Sequence, residues 1–261
     1  MKITFDSNVW RKIASPDNFP KDPEITFYRK IRNAIDTKII NPYLCETIFT
    51  LEAIKKIDRK NIFKIYEPEI NIETKELPDG VTKITFTMGP AKTNQPTLNE
   101  FLKEHLQDAI SAGFNIIHFP RIGGFENQAV KPFLCKLTGD DLKEYLETLF
   151  KVAKRIEELE SGFYWIEKIG RKYNSTSPFL GVGSAPDSED PNIARAVAEW
   201  ADGDSVAAHI AIGGKYFCTN DQAKASGEKS IFSAINLEIL EREYNLKILS
   251  PITLVNQLLI S

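Results

Sequence analysis

The stretch from Asp204 to Asp221, DSVAAHIAIGGKYFCTND, constrains the fold more than any other part of this chain. It reads as a small-residue helix from Asp204 to Ile212 closed by Gly213-Gly214, then a short strand, Tyr216-Phe217-Cys218, ending in Thr219-Asn220-Asp221. The same alternation continues on both sides. Asn192 to Ala201 reads as a preceding helix; Ile235 to Tyr244, Leu246 to Leu249 and Pro251 to Leu259 read as helix, strand and helix. At the other end of the chain, Ile3-Thr4-Phe5 is a β-prone run that stops at Asp6-Ser7-Asn8 and leads into a helix at Val9 to Ile13. Phe27 to Ile35 has helical spacing, Lys38 to Tyr43 reads as a second strand broken by Pro42, and Cys45 to Ile57 carries the apolar stripe of a buried helix with Glu46 in its first turn. The two ends read as one α/β fold, residues 1–57 and 192–261, interrupted by residues 58–191.

Within that interruption the pattern changes. Glu69 to Leu77 and Val81 to Met88 alternate around Pro78-Asp79-Gly80, which predicts a hairpin. Thr97 to Ala112 opens with a capping-box pattern, Thr97 to Glu100, and Thr138 to Ser161 keeps Leu142, Leu146, Leu149, Val152, Ile156 and Leu159 in helical register. Phe163 to Tyr173 reads as a further helix. Asn174 to Pro191, rich in Ser, Pro, Gly and Asp, reads as a linker, and Gly123-Gly124 and Gly181-Val-Gly183 read as turns. The insert is therefore expected to be an α+β region with a hairpin and long helices.

Composition excludes several classes of function. The chain has 261 residues, 42% hydrophobic and 26% charged, with 33 Lys+Arg against 36 Asp+Glu. A net charge of -3 leaves no bulk attraction for nucleic acid, so any such contact must be a local patch. Three cysteines, Cys45, Cys135 and Cys218, lie far apart and never as CxxC, which indicates neither a disulfide framework nor a zinc site, and three histidines offer little for a His-based metal. No run approaches a membrane span, and Asp6 interrupts the N-terminus before a signal sequence could form, so a cytoplasmic protein without membrane contact is expected.

In a parallel α/β sheet, ligands bind beyond the carboxyl ends of the strands. Four acids are expected there: Asp6 ending the first strand, Glu46 opening the helix after the second, Asp204 opening a helix, and Asp221 ending the third strand. Carboxylates brought together raise one another's pKa, and a divalent cation relieves the conflict. Oxygen donors without His or Cys suit Mg²⁺ or Mn²⁺, which lowers the pKa of a bound water and offsets charge on an attacked phosphate. Taken singly, an acid at a helix start is more often a cap or a dipole partner.

These pieces, ITFDSNVW, NPYLCETIFTLEAI, DSVAAHIAIGGKYFCTND and LKILSPITLVNQL, resemble in their order the PIN-domain nucleases. The resemblance covers roughly residues 1–57 and 192–261. It implies a PIN-like three-layer fold with a central parallel sheet and a Mg²⁺- or Mn²⁺-dependent ribonuclease site carried by Asp6, Glu46, Asp204 and Asp221, with Ser7 and Thr219 in supporting hydroxyl positions. Asp202 competes with Asp204 for the third acidic position; the helix spacing to Asp221 favours Asp204.

The partners implied are single-stranded RNA, an antitoxin or other protein, and a second copy of the chain in a homodimer. Lys55, Lys56, Arg59 and Lys60, with Lys64, form a basic run that either tracks a phosphate backbone or is a solvated helix end. Trp10 is either a core residue or a base-stacking one, His209 is read as packed and Cys218 as inert. Two other readings stand beside the endoribonuclease: a PIN-fold scaffold that uses the hairpin and the long helix for protein interaction, and the toxin of a toxin–antitoxin pair.

Overall fold

The computed structural model describes residues 1–64, 68–78, 80–90, 100–120, 130–221 and 230–260. Strand β1 (Lys2–Phe5) leads into helix α1 (Trp10–Ala14), α2 (Ile25–Asp36) and β2 (Asn41–Cys45). A single turn of π-helix, Ile48–Glu52, and α3 (Arg59–Lys64) follow. Next come β3 (Pro68–Glu76), β4 (Thr82–Pro90), α4 (Glu100–Ser111) and β5 (Asn115–Ile117). Four helices then run in succession: α5 (Gly139–Glu158), α6 (Tyr164–Arg171), α7 (Pro178–Ser184) and α8 (Asp190–Ala211). The chain closes with β6 (Tyr216–Cys218), α9 (Ala234–Tyr244), β7 (Ile248–Leu249) and α10 (Pro251–Ile260). The Thr97 capping box and the Gly123-Gly124 turn lie outside the described residues.

Five strands form one parallel sheet in the order β5-β2-β1-β6-β7. Pro42 is tolerated because the Asn41 N–H already donates to the Met1 carbonyl on the β1 side, which turns the Pro42 nitrogen towards β5, where pairing begins only at Tyr43. Alternation along the strands feeds two cores. Ile3, Phe5, Leu44 and Ile116 pack with α1, α2, α4 and α10. Cys45, Ile117 and Phe217 pack with α5, α8 and α9 on the other face. A third core joins Leu51, Ile62 and Phe63 to α6, α7 and the first half of α8. The result is a central parallel sheet flanked by helices, as the α/β pattern predicts. No helix among the described residues is long and apolar enough to cross a membrane.

The hairpin forms as read, with Glu76 opposite Thr82 and Ile72 opposite Phe86. Three expectations change. Residues 45–57 are not one α-helix, because Cys45 ends β2 and the π-helical turn Ile48–Glu52 follows it. Residues 190–211 are one helix, so Asp204 lies inside a helix and does not open one. Gly203 is the reason: it does not break the helix but lets it approach Gly162, whose Cα would stand 2.9 Å from a Cβ at 203. The expected linker contains α7, and its glycines are contact points, because a Cβ at Gly181 would fall 2.2 Å from the Gly170 carbonyl oxygen and one at Gly183 2.7 Å from that of Phe63.

The insert is not set apart from the core. Residues 58–191 supply β5 to the central sheet beside β2, and α5 to the layer packed on α8.

Candidate acidic site

The sheet's strand order reverses at β1, with β2 on one side and β6 on the other, which makes the carboxyl ends of β1 and β6 the crevice where such folds bind ligands. Asp6 stands there. Its backbone N–H still donates to the Cys218 carbonyl at 3.0 Å, which fixes it to β6. Its carboxylate, 3% exposed, accepts from the Ser7 backbone N–H at 2.6 Å, Asn8 Nδ2 at 2.7 Å and the Thr219 hydroxyl at 2.6 Å. Asn8 ties the crevice together further: Nδ2 also donates to Thr219 Oγ1 at 3.0 Å, and Oδ1 accepts from the Asn220 N–H at 3.0 Å. The Asp221 N–H donates to Thr219 Oγ1 at 2.9 Å, so Thr219 holds both ends of the crevice. Asp221 itself is exposed.

Two further acids, Glu52 and Asp202, face the same charge. Glu52 ends the π-helical turn; its Oε1 accepts from the Ser7 hydroxyl at 3.1 Å, while its Oε2 is buried without a hydrogen-bond partner. Burial first, and then the Asp6 charge, push the Glu52 carboxyl up to about 8, against smaller pulls from Ser7 and Arg59. Asp202 is raised well above the carboxylate range by burial and by the charges of Asp6, Glu52, Glu199 and Asp221. Asp6 is raised by burial, opposed by its hydrogen bonds from Thr219 and Ser7 and reinforced by Asp221. Glu199, one turn before Asp202, is buried, accepts from the Ile231 N–H at 2.6 Å, and is likewise raised by burial.

The partners of Glu46 and Asp204 are different ones. Glu46 Oε1 accepts from the Phe119 N–H at 2.7 Å and stands 2.7 Å from His118 Nδ1. Asp204, 2% exposed, accepts from Trp200 Nε1 at 2.8 Å. Both act on Cys45 at the end of β2, where burial holds the thiol up at about 12. Of the four acids expected together, the Asp221 charge thus acts on Asp6, and the Asp6 charge acts on Glu52 and Asp202. The π-helical turn shifts the side chains after Glu46 off the α-helical register assumed from the sequence. The sequence reading preferred Asp204; the three-residue spacing of Glu199 and Asp202 on α8, which puts both on one helix face, is a signal it did not use.

The basic run divides. Lys55 and Lys56 are exposed. Arg59 is buried and donates to the Ile54 and Ala194 carbonyls, and Lys60, also buried, reaches Asp187 at 2.7 Å and Asp190 at 3.2 Å. These two fasten α3 to the start of α8 and do not face solvent. Trp10 is core, stacked edgewise on Phe49 at 5.5 Å. His209 is packed, with Nδ1 at 2.8 Å from Thr4 Oγ1, and burial holds its imidazole down at about 3.

All donors in the acidic group are oxygens and one buried oxygen is unsatisfied, which is the chemistry of a hard cation site. Among the described residues, however, no three His, Cys, Asp or Glu side chains are gathered closely enough to hold a metal ion. Comparison with protein-family models, with curated proteins and with solved structures gives no match for this chain.

Proposed function

We propose that this chain is a divalent-metal-dependent nuclease of PIN-like architecture that hydrolyses phosphodiester bonds in single-stranded RNA, with Asp6, Glu52, Asp202 and Asp221 as its acids. The observation that carries this reading is the buried, unpartnered Oε2 of Glu52 in a group of mutually repelling carboxylates at the sheet's crevice. The fold gains nothing from that repulsion, whereas a cation would relieve it.

A Mg²⁺ or Mn²⁺ held by one or two of these carboxylates, keeping several of its waters, would supply an acidified water and offset phosphate charge. The chain's own residues do the rest. Ser7, Asn8 and Thr219 fix both Asp6 oxygens, so that carboxylate needs no reorganisation on binding. Glu52 and Asp202, whose carboxyls are raised by burial and by neighbouring acids, would bind such a cation in their ionised forms. Asp221, at the exposed lip, is the acid nearest to an entering strand, and Lys55 and Lys56 remain at the surface for its phosphates. On this reading Glu46 and Asp204 are structural.

The test is cleavage of an unstructured RNA oligonucleotide with and without Mn²⁺ by wild type, Asp6→Asn, Asp202→Asn and Asp204→Asn. The first two variants lose activity and Asp204→Asn keeps it. A wild type that never cleaves, or an Asp6→Asn protein as active as wild type, refutes the proposal.

A second reading has one observation in its favour. Ile72, Ile84 and Phe86, at 61%, 54% and 68% exposure, line one face of the hairpin, as a protein-binding scaffold would require. It predicts a protein partner lost in Phe86→Ser and no cleavage in any metal.

A further inference from the structure

A cavity of about 1030 Å³ lies on the α5 and α8 side of the sheet, and none of Asp6, Glu52, Asp202 and Asp221 lines it. Its walls come from separate elements: Tyr43 and Ile117 from the sheet, Tyr145 and Leu146 from α5, Ile210 and Ile212 from the end of α8. They are held at fixed distances. The Tyr145 hydroxyl donates to the His118 carbonyl at 2.6 Å, which pins α5 over β5, and Lys2 Nζ donates to the Ile212 carbonyl at 2.8 Å, which pins the end of α8 to β1. The space is therefore built into the fold, and its size is that of a site for a small organic molecule.

The lining also indicates what would fill it. Lys2 and Lys136 stand at its rim with Asp141 and Glu144, two charges of each sign, all exposed, so the mouth selects neither cations nor anions. The walls between are mainly apolar, with two tyrosine rings that favour flat aromatic faces, and His118, Thr138, Thr148 and Cys135 are the polar side chains among them. Burial keeps the Cys135 thiol, also on the wall, uncharged. His118 lines the end nearest β5 and is steadied by Glu46 at 2.7 Å, which gives that carboxylate a role in shaping this cavity.

We propose that this cavity is a binding site for an uncharged aromatic small molecule, separate from the acidic crevice. The test uses 6-propionyl-2-(dimethylamino)naphthalene, an uncharged aromatic ketone whose emission shifts to shorter wavelength in apolar surroundings. Wild type binds one dye per chain, saturably and with shifted emission. Leu146→Trp and Ile212→Trp fill the cavity from opposite walls; both positions are partly exposed, so the larger ring need not enter the core. Either lowers affinity about tenfold or more through lost apolar contact, and if one variant melts early the other decides. Phe86→Ser, on the exposed hairpin face, leaves binding unchanged. Absence of saturable binding, affinity unchanged in the folded filling variants, or loss in Phe86→Ser overturns the proposal. None of these outcomes depends on RNA cleavage.

Discussion

Replacing Glu52 with glutamine should change how stability depends on pH, and the sign follows from the direction of its pKa. The folded carboxyl sits at about 8, against 4.5 when unfolded, because burial and the Asp6 charge oppose ionisation. Between those values the folded protein holds a proton that the unfolded chain has released, so its stability is greatest below about 4.5 and falls as pH rises towards 8, by about 1.4 kcal/mol per pH unit. Over the whole interval the ceiling is about 5 kcal/mol, reduced by relaxation of the neighbouring acids. Asp6 and Asp202, also raised, add slope of the same sign. Urea unfolding of metal-free wild type at pH 5 to 9 should therefore lose stability with rising pH. Glu52→Gln should lose about one proton's worth less per unit and exceed wild type at pH 8. Mn²⁺ should restore wild type at pH 8 more than the variant, since it binds the ionised site. Equal slopes in the two proteins would refute the claim that Glu52 is buried among like charges.

Three other outcomes are expected. Asn8→Ala removes the amide that holds Asp6 Oδ2, Thr219 and Asn220, and should lower Mn²⁺-dependent cleavage about tenfold with little change in melting temperature. Gly170→Ala places a Cβ 1.9 Å from the Pro178 carbonyl oxygen, backbone against backbone between α6 and α7, and should cost about 3 kcal/mol in urea unfolding. Phe86→Ser should leave stability within about 0.5 kcal/mol in the same assay, because the ring is already in solvent.

Strands β1 and β6 and the hairpin were legible because their signals are local, whereas β5 was not read and β2 begins at Asn41, not Lys38. β1 and β6 are short apolar runs stopped by Asp6 and by Thr219-Asn220-Asp221, and Pro78-Asp79-Gly80 between alternating runs specifies a tight connection. What failed depended on tertiary contact. Residues 192–201 and 204–212 read as separate helices, yet the missing side chain of Gly203 serves the crossing with Gly162, and α8 runs through it. Glycines 181 and 183 read as loop residues and are helix contact points for the same reason. Glu46 and Asp204 looked like site acids because each was assigned to a helix start. The π-helical turn after Glu46 and the unbroken α8 through Asp204 remove both helix starts, and neither feature has a periodicity visible in the sequence.

The insert, moreover, belongs electrically to the acidic group. Arg59 lies just past the boundary read at residue 57, and its buried guanidinium, oriented by the Ile54 and Ala194 carbonyls, is a positive charge acting on Glu52. Burial lowers the pKa of Arg59, and the charges of Glu52 and Asp202 raise it in return, so cation and acids support one another's ionised forms. Lys60 beside it anchors α3 to the loop that starts α8, through Asp187 and Asp190. Glu199, from α8, in turn holds the Ser230–Ile231 segment through the Ile231 N–H. The helix that presents Asp202 is thus fastened at its start by the insert, and the acids it serves are partly neutralised from there. A chain cut to residues 1–57 and 192–261 would lose that cation, the β5 strand beside β2 and the α5 layer on α8 together. Residues 58–191 thus share a sheet strand, a helix layer and a charge acting on Glu52 with the rest of the fold.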